Sequence, residues 1–302
     1  MNASRKEEEG QNLMEQGEKQ LHQKSGFLSF FLGKSASIGK SSPQEEAAET
    51  FVKAANCFRL VKAWSQAGAA FEKAASAYAA SSDMTYEAAS KYTDAAKAYK
   101  NSDSGKAVAA YEKAIELYTD TARFQQCARY KKEIAEMFEA EQDMEKSLEA
   151  YIAAADFYDM EDAKSNANSM RVKVAMLSAS TGKFAEAADL YESVAQNALA
   201  NHMLKYGARD HLLRAGLCRL CLDDVIGAQR AISKYAEMDP TFSTSREGKL
   251  LEAVVAAVDE ADVQGFTNHV YEYDSLSKLD EWKTSILLKI KNKINAEDDD
   301  LT

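Results

Sequence analysis

Proline is almost missing from this chain: Pro43 and Pro240 are its two prolines, so residues 44–239 contain none. A long stretch without that breaker is rare in β-rich architectures and natural in helical ones. Four cysteines (Cys57, Cys127, Cys218, Cys221) in 302 residues are too few for a secreted disulfide framework. No apolar run approaches the ~18 residues of a membrane span. Residues 1–20 are polar and charged and lack the apolar core of a signal peptide, so a soluble intracellular protein is expected. Basic residues are outnumbered by acidic ones, 37 to 48, and the formal net charge of −11 argues against a general nucleic-acid binder. What the chain does have is abundant alanine with other strong helix formers, 46% hydrophobic and 28% charged residues. The length allows one or two domains, and the expected class is all-α.

One short pattern recurs: an aromatic, a small residue four positions on, and a second aromatic at seven. It reads FVKAANCF (Phe51–Phe58), FEKAASAY (Phe71–Tyr78), YTDAAKAY (Tyr92–Tyr99), YEKAIELY (Tyr111–Tyr118) and YIAAADFY (Tyr151–Tyr158). Tyr130 with Ile134 and Phe138, and Tyr191 with Ala195, are looser copies. Positions i, i+4 and i+7 share one helix face, and the leading aromatics stand about 20 residues apart, so a helix pair fills about 40. Alanines permit close helix approach while aromatics fill the space between layers. One such helix cannot bury its face alone, so stacked pairs are required. Trp64, Ala67, Gly68 and Phe71 follow the W-x-x-L-G-x-x-Y spacing of tetratricopeptide repeats, with alanine for leucine. Asp103-Ser104-Gly105, Asp143 and Gly182 fall between helical runs. The expected fold is a tetratricopeptide-like right-handed solenoid of antiparallel helix pairs over residues 1–240. Past Pro240 the repeat fades into amphipathic stretches, and residues 241–302 are expected to form a C-terminal helical bundle cap with an acidic tail, Glu297–Thr302.

Chemistry-bearing motifs fail on inspection. Cys218 and Cys221 form a CxxC with no second ligand pair in reach, so no metal is expected and the pair reads as helix packing. GKSASIGKS (Gly33–Ser41) places five residues between its glycines where a phosphate-binding loop needs four, and no strand precedes it. The histidines (His22, His202, His211, His269) are scattered, with no catalytic constellation around them. No catalytic residue, cofactor or enzyme activity is expected.

Three decorations stand out from the repeat. Residues 24–43 are rich in Gly and Ser yet carry Phe27, Leu28, Phe30, Phe31 and Leu32, flanked by Lys24, Lys34 and Lys40. They suit either a satellite cluster under the loop or an interfacial membrane anchor. Arg123, Arg129, Lys131 and Lys132 cluster, and Arg171 and Lys173 follow about one repeat later. They form either an ordinary solvated face or a positive stripe for an acidic, extended partner. Asp223, Asp224, Asp259, Glu260 and Asp262 make the C-terminal part acidic.

Several blocks together carry a resemblance: GFLSFFLG (Gly26–Gly33), AANCFRLVKAWSQAGAAF (Ala54–Phe71), KAIELYTDTARF (Lys113–Phe124), LLRAGLC (Leu212–Cys218), FSTSREGKL (Phe242–Leu250), YDSLSKLDEWKTSILLKIK (Tyr273–Lys291) and the terminal EDDDL (Glu297–Leu301). The chain resembles the alpha-SNAP (soluble NSF attachment protein) family over essentially its full length. That resemblance implies an adaptor that binds an assembled SNARE four-helix bundle, several copies to a bundle. It also implies recruitment of the AAA+ ATPase NSF and stimulation of its ATP-driven disassembly of the bundle. It assigns SNARE contact to Arg123 and Arg129, the second an arginine for the family's lysine. A further family lysine falls on Ser169, where Arg171 or Lys173 could supply the charge. Phe27 and Leu28 fall on the family's membrane-touching phenylalanine pair, with Phe30, Phe31 and Leu32 beside them. Asp223, Asp259 and Glu260 match acidic positions facing NSF, and Asp300 and Leu301 fall in the tail tied to its stimulation. A peripheral protein on the cytosolic face of membranes is implied, with no nucleic-acid partner. The alternative is a generic tetratricopeptide-like scaffold for a chaperone or peptide.

Overall fold

A computed structural model of the 302-residue chain describes residues 2–22, 42–201 and 204–300. The described residues are all-α, without strands: α1 (Asn2–His22), α2 (Pro43–Leu60), α3 (Trp64–Ala79), α4 (Thr85–Tyr99), α5 (Ser104–Asp120), α6 (Phe124–Ala140), α7 (Met144–Met160), α8 (Lys164–Ser180), α9 (Phe184–Leu199), α10 (Lys205–Leu220), α11 (Val225–Met238), α12 (Arg246–Asp259), α13 (Val263–Leu276) and α14 (Glu281–Asp300). Each leading aromatic of the sequence repeat sits inside one helix with its ring buried: Phe51, Phe71, Tyr92, Tyr111, Tyr130, Tyr151 and Tyr191. α8 belongs to the series without an aromatic, and Met170 and Val174 take the buried positions.

The helices start and stop for local reasons. Pro43 opens α2 where its missing N–H costs nothing. Ser42 there accepts from the Glu45 amide while the Glu45 carboxylate accepts from the Ser42 amide, a reciprocal capping box. Asp103, Asp224, Ser245 and Asp262 cap α5, α11, α12 and α13 through side-chain oxygens that accept the third following amide. Several helices end in one and the same turn. After α2, Lys62 adopts φ +60°, the Ala63 amide donates to the Phe58 carbonyl at 2.9 Å, and the Lys62 amide to Arg59 at 3.1 Å. This Schellman closure satisfies the orphan carbonyls of the helix end. It recurs at Ala122, Gly182 and Ala261, with the six-residue bond at 2.8 Å each time. Left-handed residues at 122, 142, 162 and 182 mark the 20-residue period in the backbone itself.

The helices group into two compact units, residues 1–142 with 156–162 and residues 143–155 with 163–302, so that α7 contributes to both. In the first unit consecutive helices pack through alanines and rings. Gly68 on α3 shows why a small residue is needed: a Cβ there would lie 2.5 Å from Cε1 of Tyr99. Tyr111, Tyr118 and Tyr130 stack with ring centres 5.4 and 5.9 Å apart along the α5–α6 seam. In the second unit one continuous core runs from Ala175 through Leu212, Phe242 and Leu251 to Ile294, on both sides of Pro240. Ile286, Leu287, Ile290 and Ile294 form the apolar stripe by which α14 joins it.

Candidate partner-binding surfaces

The basic cluster of the first unit separates into spent and unspent charges. Lys131 is held by Glu112 at 2.7 Å, and Lys132 lies 3.5 Å from Glu136 one turn on. Arg123, at the N-cap of α6, is exposed and lies over the Tyr86 ring at 4.6 Å. Arg129 is exposed and lies 5.9 Å from the Tyr130 ring centre. Neither guanidinium has a carboxylate within ion-pair distance among the described residues. An arginine lying on an aromatic face keeps its planar fork of donors available at low entropic cost.

In the second unit Arg171 and Lys173 cannot substitute for each other, since residues two apart lie on nearly opposite sides of a helix. Arg171 Nη1 donates to Asn168 Oδ1 at 3.4 Å, an oxygen that also accepts from Asn197. Lys173 stands four residues beyond the exposed Ser169, hence on Ser169's face of α8.

The acidic residues of the second unit also divide. Asp224 and Asp262 are used as helix caps. Asp259 and Glu260, at the end of α12, are exposed. Carboxylates at a helix C-terminus oppose the macrodipole at a cost of about 0.3–1 kcal/mol each, so stability does not account for them. Asp223 adopts φ +60° in the α10–α11 turn and pairs with Lys293 at 2.6 Å. Lys293 also donates to the Cys221 carbonyl at 2.8 Å, which seats the later half of α14 beside that turn. Gln229 Nε2 donates to Asp259 Oδ2 at 3.4 Å, joining the start of α11 to the end of α12. Asp223, Asp259 and Glu260 therefore come to one end of the unit, toward which α14 also runs.

Behind this end lies a charged network without a periodic signature in the sequence. The buried Glu192 accepts from Arg219 at 2.9 Å, Lys234 at 2.6 Å and Tyr235 at 2.7 Å. Burial alone would raise its pKa, but these three donors outweigh it and hold the carboxyl below its usual range. Arg214 binds Asp210 at 2.7 Å and Asp280 at 2.5 Å and lies over the Trp282 ring, and the buried Lys283 reaches both carboxylates. The three partners of Glu192 are 27 to 43 residues away in sequence, and Arg214 and Asp280 are 66 apart. The nearest sequence signal was a lysine, Lys283, on the apolar side of an amphipathic helix.

Cys218 and Cys221 are buried free thiols that pack α10, and burial raises them to about 12 and about 11. Among the described residues no His, Cys, Asp and Glu side chains group as a metal site, and no helix is long and apolar enough to cross a membrane. Phe27, Leu28, Phe30, Phe31, Leu32 and Leu301 lie outside the described residues, and Asp300 is the last residue of α14.

A family profile described as "Soluble NSF attachment protein, SNAP" matches residues 8–295, nearly the whole chain and both units. The chain belongs to the SNAP family. The alpha-soluble NSF attachment protein of Vitis vinifera is 45% identical over 264 residues, 86% of this chain and 91% of that one. Its counterpart in Homo sapiens is 39% identical over the full length of both. A probable vesicular-fusion protein sec17 homolog of Schizosaccharomyces pombe is 39% identical over 94% of this chain and 98% of its own. The SNAP-family match covers both the repeat and α10 to α14, so the charged end of the second unit belongs to the family region as fully as the repeat does.

Proposed function

We propose that this chain is an adaptor that grips an assembled SNARE four-helix bundle, recruits an NSF-type AAA+ ATPase and stimulates ATP-driven disassembly of the bundle during vesicle trafficking. The observation that carries the reading is the unspent pair Arg123 and Arg129, exposed guanidiniums in a chain of net charge −11 whose neighbouring lysines are neutralised. Extended acidic surfaces of a helical bundle would meet them by charge complementarity. On α8, Lys173 rather than Arg171 takes over from Ser169, because it shares that face. Asp223, Asp259 and Glu260 present a carboxylate end to the basic surface of the ATPase, and the tail residues Asp300 and Leu301 serve its stimulation. Phe27 and Leu28, with Phe30, Phe31 and Leu32, touch the cytosolic membrane surface, where the protein is peripheral. Residues 1–240 serve as the gripping solenoid and 241–302 as the motor-facing cap, several copies acting on one bundle.

The test compares binding to an assembled SNARE bundle with binding to its separated helices. The wild-type chain is expected to prefer the assembled bundle, and Arg123→Glu with Arg129→Glu to lose at least about tenfold in affinity at unchanged helicity. Equal binding to bundle and single helices, or undiminished binding by the double variant, would sink the assignment.

A further inference from the structure

The groove between α12 and α13 belongs to neither surface. It encloses about 540 Å³, with Leu250 and Ala253 from α12 and Tyr273 and Leu276 from α13 as its apolar lining. On each helix these residues are three apart and so share a face. Leu276 is 73% exposed, a large apolar side chain left at the groove's edge. Arg246 and Lys249 stand on the α12 side. Arg246 Nη1 reaches the Leu276 carbonyl at 3.5 Å, and Lys249 has no ion-pair partner among the described residues. The carboxylate that lines the groove, Glu272, stands 4.0 Å from Nδ1 of His269.

Arg246 opens α12 and Asp259 ends it, so the groove mouth lies about 20 Å along that helix from the acidic end. Asp259 and Glu260 thus close one end of α12, and Arg246 and Lys249 stand beside the apolar trough at the other, with Glu247 in the same turn. A basic ligand suited to Asp259 and Glu260 does not suit this trough. We infer that the α12–α13 groove is a docking site for an acidic amphipathic helix of a partner protein. Its leucine-type side chains, spaced i, i+3 and i+4, enter between Leu250 and Leu276, and its flanking carboxylates pair with Arg246 and Lys249. A helix fits because the trough runs between two helices and its lining repeats at helical spacing on both sides.

Fluorescence anisotropy with the full chain tests this. The probe is a labelled 18-residue synthetic peptide with leucines along one helical face and glutamates flanking them. The peptide is expected to bind, more weakly at higher salt. Lys249→Glu with Leu276→Ser, both at exposed positions, should weaken binding by about tenfold or more without changing the circular dichroism spectrum. Arg123→Glu with Arg129→Glu should leave peptide binding unchanged, which separates this site from the proposed bundle contact. Several outcomes would overturn the inference: no peptide binding, equal binding by the groove variant, equal binding of a peptide with its leucines scattered around the helix, or equal binding of a lysine-flanked peptide. Binding of phosphatidylserine-containing vesicles that depends on the same two residues, with no peptide binding, would reassign the groove to a membrane surface.

Discussion

The two units are built from the same helices and held together differently. In the first, most buried side chains are alanines, tyrosines and phenylalanines, with Thr50 and Thr93 as the buried polar residues among those described. Its ion pairs, such as Lys113–Glu72 and Lys100–Glu133, lie at the surface. The second buries Glu192, Asp239 and Lys283 and adds leucine, valine and isoleucine to its buried alanines. Stacked layers of small residues and rings tolerate many sequences on their outer faces, which leaves that surface open for contacts such as Arg123 and Arg129. Buried charges demand specific partners at specific distances. The unit that presents Asp223, Asp259 and Glu260 is therefore the one whose helix ends are fixed by polar contacts.

The largest expected difference lies in removing a charge from each unit. Glu192→Ala strands the fully buried Tyr235 hydroxyl and leaves Arg219 only its longer contact with Asp189, a loss of about 3–5 kcal/mol. Lys131→Ala breaks a 2.7 Å pair whose carboxylate is half exposed, and should cost less than about 1 kcal/mol. Urea unfolding of both variants measures the contrast. A Glu192→Ala cost as small as that of Lys131→Ala would show that the network does not hold the second unit.

Acid should separate the units next. Asp210 and Asp280, like Glu192, are pushed up by burial yet end below their ordinary range because of Arg214, Lys283 and neighbouring donors. Their stabilisation is complete above the unfolded carboxylate pKa of about 4 and disappears as pH falls through the lower folded values. Burial lowers His211, so the unfolded chain binds its proton first and stability begins to fall below about pH 6.5. In the first unit Glu9 and Glu18 are shifted down by their lysine partners in open water, where screening leaves little energy to lose. The chain's two tryptophans report one unit each, Trp64 the first and Trp282 the second. In Trp64→Phe and Trp282→Phe single-tryptophan variants, the Trp282 signal is expected to unfold at higher pH than the Trp64 signal. Coincident transitions, or the reverse order, would contradict the assignment of pH sensitivity to the buried charges.

The same contrast decides what the sequence revealed. An aromatic at i, a small residue at i+4 and an aromatic at i+7 is a local code, and it located α2 to α7 and α9. α8 was missed by that code because Met170 and Val174 fill its aromatic places. The candidate charges were visible as clusters, but composition could not tell Arg129 from Lys131. The difference is Glu112, 19 residues away on the preceding helix. Likewise Arg171 and Lys173 look equivalent in a string and diverge once 100° per residue separates them. The network around Glu192 and the clasp of Lys293 on Asp223 join residues up to 70 apart, and no single segment carries a sign of them. Periodicity encodes what a helix does with its own turns, while polar contacts between distant helices are encoded only by the fold.

The smallest expected effect lies in a turn that occurs in both units. Ala122 in the first unit and Gly182 in the second occupy the same left-handed position of the same closure, at φ +53° and +85°. An L-residue pays about 1–2 kcal/mol there in contact between Cβ and the following carbonyl. Glycine escapes that strain but loses about 0.5–1 kcal/mol more conformational entropy on folding. Nothing lies within 4 Å of a Cβ added at Gly182, so Gly182→Ala should cost only the net backbone difference, about 1 kcal/mol or less. Ala122→Gly should move stability the other way by a similar amount, because Ala122 is exposed and its methyl has little packing to lose. Thermal unfolding of the two variants gives the signs directly. If Ala122→Gly also destabilised the chain, the methyl would be packing in the first unit, and the two turns would be alike in backbone only.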